Sequence, residues 1–132
     1  MALREFKNEP FLDFGSSLFC DRAVVGGWPR GTEMITELHV PREQLAAFMV
    51  VVREDFLRHQ VDLIYGTIRL IRKDEDAFLA WARDDYACVI FNLHVDHHAD
   101  GLARARTDFQ RLIDRAIEFD GSYFLTYHRY AR

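Results

Sequence analysis

The order of periodicities along the chain predicts an α+β fold of the βαββαβ type. This is the ferredoxin-like arrangement, a four-stranded antiparallel sheet with two helices on one face. Three observations carry the expectation. Two runs near the middle, residues 61–72 and 86–96, alternate at the two-residue period of a strand. Two others, 42–59 and 101–119, repeat apolar residues at the spacing of a helix. Shorter strand-like runs stand before the first helix and after the second, at 32–40 and 122–128.

Taken in order, residues 1–31 are the least regular, an irregular N-terminal segment in which Pro10, Gly15, Gly26, Gly27 and Pro29 interrupt short apolar clusters. Phe6, Phe11, Phe14, Phe19 and Trp28 make it too apolar for a solvated tail; it either lines one edge of this domain or, the favoured expectation, docks on a surface outside it. The organised domain then covers 32–132. Its first strand alternates Met34, Thr36, Leu38 and Val40 against Glu33, Ile35, Glu37 and His39. Pro41 suits the start of a helix, where its missing N–H costs nothing, and Glu43 complements the helix dipole. Leu45, Phe48, Met49, Val52 and Phe56 form the buried stripe of that helix.

The second strand places Ile64, Gly66, Ile68 and Leu70 on one face and Leu63, Tyr65, Thr67 and Arg69 on the other. A charged turn, Lys73-Asp74-Glu75-Asp76, leads to a short helical turn at 77–82. The third strand sets Ala87, Val89, Phe91, Leu93 and Val95 against Cys88, Ile90, Asn92, His94 and Asp96. Asp100 is placed to cap the second helix, whose stripe reads Leu102, Ala105, Phe109, Leu112, Ile113 and Ala116. Gly121 suits the left-handed turn that ends it, and the last strand follows.

At 132 residues the chain is one domain with room for a core. Its 17 basic and 21 acidic residues are interspersed and the net charge is −4, so there is no electrostatic basis for binding nucleic acid or an anionic membrane. No run approaches the ~20 apolar residues of a membrane span, and the opening MALREFK is too charged for a secretory signal. Cys20 and Cys88 make no metal or redox spacing. Reduced thiols and a cytoplasmic location are expected.

With both helices on one face, the other face is open, and Tyr65, Thr67, Arg69, Asn92, His94 and Asp96 belong to it. Arg69 stands mid-strand among apolar neighbours and needs an anionic or polar partner: Asp96, Glu37 or a ligand. An in-line hairpin would bring it near His94 or Asn92. His94, Asp96 and His98 are metal-ligand types, but two-residue steps on a strand spread them over roughly 13 Å, so no metal is expected. No phosphate loop, nucleophile elbow or GxGxxG is present.

Five blocks in order, EMITELHVPR at 33–42, LIYGTIRLI at 63–71, FLAWAR at 78–83, YACVIFNLHV at 86–95 and GSYFLTYH at 121–128, resemble the C-terminal substrate (cap) domain of FAD-linked oxidases of the vanillyl-alcohol oxidase type. The resemblance implies a division of labour. A separate FAD-binding domain or subunit holds the cofactor, and the cap sheet lies over the flavin to form the pocket for a small-molecule substrate that yields hydride. It further implies that Arg69 orients the substrate hydroxyl and stabilises developing negative charge, with His94 as the base. Tyr65, Thr67, Asn92 and His128 would bind substrate. Nothing in residues 1–31 resembles a pyrophosphate loop, so the chain reads as a truncated or fragmentary cap, inactive without its FAD domain. Thr67 stands where sugar oxidases of this type carry glutamate, which counts against polyol chemistry. The alternative is a non-enzymatic module that pairs with a second copy through its open sheet. Arg69, Asn92 and His94 argue against an interface with an apolar centre.

Overall fold

In the computed structural model, residues 31–78 and 80–131 are described. They form β1 (Gly31–Pro41), α1 (Leu45–His59), β2 (Leu63–Ile71), β3 (Tyr86–Asp96), α2 (Ala99–Glu118) and β4 (Ser122–Tyr123). The sheet order is β2-β3-β1-β4, antiparallel throughout, the α+β ferredoxin-like fold that the periodicities predict. The expectations for residues 1–30, and for Cys20 within them, lie outside the described residues, while Gly31, expected in the irregular segment, begins β1.

The core forms because the strands and helices present matching apolar surfaces. Leu38 and Val40 of β1 and Ala87, Val89, Phe91, Leu93 and Val95 of β3 are buried against Phe48, Val52 and Phe56 of α1 and Phe109, Leu112 and Ile113 of α2. Phe56 meets Phe91 edge-on at 5.1 Å between ring centres. A residue of this size, wholly removed from water, contributes about 2–3 kcal/mol through burial. Arg111 of α2 donates across to Asp55 of α1 at 3.0 Å and, within its own helix, to Asp108 at 2.7 Å. Burial pushes the Asp108 carboxyl above the usual carboxylate range, against the opposing pull of Arg111.

Several local readings change. Proline begins a short 3-10 turn, Arg42–Gln44, before α1 proper. Leu63 lies on the covered face, not beside Tyr65, because a bulge between Leu63 and Tyr65 shifts the register. Residues 77, 78 and 80–82 are irregular rather than helical. His98, not Asp100, caps α2: its Nδ1 accepts from the Gly101 N–H at 3.0 Å, while Asp100 sits in the first turn. Leu102 is exposed, and its expected place in the stripe is taken by Gly101 and Asp108. Asp120, at φ 56°, takes the left-handed position after α2. Gly121 is required for closeness instead, since a Cβ there would sit 2.3 Å from the His39 carbonyl oxygen and 2.6 Å from that of Ala116.

The last strand is the largest departure. β4 is two residues long, and after the Phe124 N–H bonds the Glu37 carbonyl the chain turns away. His128 and Tyr130 then pack on Phe109 of α2, with ring centres at 4.5 and 5.9 Å. Aromatic burial at the sheet edge prevails over further ladder hydrogen bonds.

Candidate functional site

The face away from the helices is organised in cross-strand rows. Arg69 on β2 lies directly opposite Cys88 on β3, which lies opposite His39 on β1, which in turn pairs with Ser122 on β4. The next row is Thr67, Ile90, Glu37, and the one after is Tyr65, Asn92, Ile35. His94 pairs with Glu33 at the far end. Strand alternation alone put these side chains on one face; register decides which of them meet.

Arg69 therefore faces Cys88 and not His94 or Asn92. The in-line expectation fails because the β2–β3 register carries Tyr65 to Asn92, which leaves Arg69 four residues further along, or about 13 Å. Neither of the protein partners expected for it, Asp96 or Glu37, forms an ion pair with it among the described residues. Its guanidinium is exposed, and its positive charge is felt by the Cys88 thiol.

Asn92 is 2% exposed, and its amide donates to Glu33 at 2.7 Å. Its Oδ1 is buried without a hydrogen-bond partner. Leaving such an acceptor unpaired costs about 1–3 kcal/mol. Thr67 and Tyr65 are exposed on the edge strand beside it.

His94 lies 3.5 Å from one oxygen of Asp96, and His98 lies 3.7 Å from the other. His98 spends its second nitrogen on the helix cap. The two imidazoles are thus bridged by one carboxylate at the end of β3.

His128 does not belong to this face. Its Nε2 is 3.2 Å from the hydroxyl of Thr36, whose neighbours Leu38 and Val40 point into the core. Burial holds its pKa below the ordinary imidazole value, and its Nδ1 is unpartnered. The substrate role expected for it required a last strand reaching residue 128, which the turn after Phe124 removes.

One cluster escaped the sequence reading. Glu37 Oε1 accepts from His39 Nε2 at 3.0 Å and from the Cys88 thiol at 3.1 Å. The Trp81 ring packs over His39 with centres 4.7 Å apart and stacks on Tyr86 at 6.2 Å, so the β2–β3 connection roofs this end of the open face. Burial pushes the Cys88 thiol up to about 12, with the Glu37 hydrogen bond and charge adding to the effect and Arg69 opposing it. The thiol is therefore protonated and a poor nucleophile at neutral pH. Alternation had already set Glu37 and His39 on one face, but their nearness to Cys88 depends on register.

Comparison with family models, curated proteins and solved structures finds no match. Among the described residues no helix is long and apolar enough to cross a membrane.

Proposed function

We propose that this domain is the substrate-facing cap of an FAD-dependent oxidoreductase, with the flavin held mainly by a separate domain or subunit. The observation that carries the reading is Arg69, an exposed cation midway along the uncovered sheet face whose side chain forms no hydrogen bond or ion pair with any described residue. It suits a polar substrate lying against the sheet, with an oxygen that gains negative charge set on the guanidinium. FAD, when bound, would supply the hydride acceptor. Arg69 would hold the substrate oxygen and stabilise its charge, and Thr67 and Tyr65 would bound the pocket along the edge strand. His94 stands six residues along β3 from Cys88, the partner of Arg69, or about 20 Å, so the base for the hydroxyl that Arg69 holds would come from the substrate side or from the FAD-binding domain. A cytoplasmic setting, where Cys88 stays reduced, belongs to the same reading.

The test is to mix the chain with a separately expressed FAD-binding domain of this oxidase type and follow anaerobic bleaching of the flavin band by a panel of alcohols and lactones. Bleaching that Arg69→Ala abolishes supports the reading. Absence of bleaching with every substrate, or equal bleaching by wild type and Arg69→Ala, refutes it. The chain alone is expected to be colourless, and a flavin spectrum from it would show that the cofactor is held here.

A further inference from the structure

We propose that Glu37, His39 and Cys88 form a binding site for a single zinc-class transition-metal ion, independent of any flavin-linked role of the same sheet. Their donor atoms, one carboxylate oxygen, one imidazole nitrogen and one thiol sulfur, all lie within 4.8 Å of one another. Zinc bonds of about 2.0–2.3 Å set tetrahedral edges of about 3.3–3.6 Å between such ligands. The observed Glu37–His39 and Glu37–Cys88 separations of 3.0 and 3.1 Å are within a few tenths of an ångström of those edges. The third pair, His39 and Cys88, is no more than 4.8 Å apart and would draw together on the ion, the three residues sitting on paired central strands with His39 directly opposite Cys88 and Glu37 two residues along the same face.

The donor set selects the metal. Thiolate with imidazole and carboxylate suits zinc or cobalt and disfavours magnesium and calcium, which take oxygen ligands. Charge also balances, since a divalent cation against one thiolate and one carboxylate leaves the centre neutral beside Arg69. Three protein ligands leave a fourth position for water. The Trp81 ring over His39 fixes the imidazole and limits solvent on that side. On binding, sulfur, nitrogen and oxygen each form a bond to the metal. The thiol proton leaves to solvent, the imidazole proton moves to Nδ1, and no electron is transferred.

The experiment is a Co2+ titration of the full chain, stripped with chelator and kept reduced, read by visible and near-ultraviolet absorption, with Zn2+ competition and native mass spectrometry for stoichiometry. Expected are one ion per chain, thiolate-to-cobalt charge transfer, intense tetrahedral d–d bands, and displacement of both by Zn2+. Cys88→Ser should lose the charge-transfer band, and His39→Gln and Glu37→Gln should each weaken binding at least tenfold. Cys20→Ser and His98→Gln should bind within about twofold of wild type. Circular dichroism checks that each variant folds, and if Cys88→Ser does not, the other two variants decide. No thiolate band at excess Co2+, a band that follows Cys20 instead of Cys88, or binding unaffected by His39→Gln and Glu37→Gln would overturn the site.

Discussion

The two faces of this sheet are made from alternate residues of the same strands, yet they answer to different demands. On the helix side, Leu38, Val40, Val89, Phe91, Leu93 and Val95 are buried against two amphipathic helices and carry almost no polar group. On the other side, the same strands set out Arg69, Thr67, Cys88, Glu37, His39, Asn92 and His94 in rows. A sheet that needed only to fold would make that second face simple, with charges alternating toward water. Here it keeps an unpaired buried acceptor, a carboxylate that receives two hydrogen bonds, and an indole roof over one end. The first face carries the stability and the second spends some of it.

The comparison breaks first on Phe91, the largest wholly buried side chain of the central strand. Phe91→Ala removes its edge contact with Phe56 and leaves a cavity between β3 and α1, and a loss of about 3–5 kcal/mol is expected in urea unfolding. A loss below about 1 kcal/mol would mean that the covered face is not the main source of stability. Next comes the seam where α2 returns to the sheet. Gly121→Ala drives a Cβ into the backbone carbonyls of His39 and Ala116, which cannot yield as a side-chain tip can, so about 1–3 kcal/mol should be lost.

His128 sharpens the comparison through pH. It belongs to the covered side, where burial depresses its pKa from 6.5. As pH falls below 6.5 the unfolded chain takes up this proton before the folded one, so stability falls with acidification through that window and is fully present above it. Thermal melts at a series of pH values should show the decline, and His128→Phe, which keeps the ring stacked near Phe109 and Tyr130, should flatten it. An unchanged slope in the variant would assign the decline to other groups.

These contrasts also mark what the sequence could reveal. Eleven residues of unbroken alternation identified β3 at its observed bounds, and the apolar stripes of both helices identified the covered face. Membership of the open face was readable for Thr67, Arg69, Asn92 and His94 by the same alternation. Which of them touch was not, because register is set by a bulge at Leu63/Tyr65 and by the path of the β2–β3 connection, and neither leaves a periodic trace. The Glu37–His39–Cys88 cluster was hidden because it depends on the register between β1 and β3, strands separated in the chain by α1 and β2, with thiol and carboxylate 51 residues apart. His128 was misplaced because an edge strand can stop wherever aromatic packing outweighs two or three ladder bonds.

The smallest expected change in stability is the most informative about the open face. Arg69 is exposed on the edge strand and takes part in no ion pair among the described residues, so Arg69→Ala should alter the unfolding free energy by no more than about 0.5 kcal/mol. Its loss removes the positive charge that partly opposes the upward shift of the Cys88 thiol, so thiol alkylation at high pH should become slower in the folded variant. A loss of stability near that of Phe91→Ala would give Arg69 a structural role and make the two faces alike. An unchanged melt with slower alkylation would place the guanidinium over the Cys88 row, bound by nothing in the fold and available to an anionic group outside it.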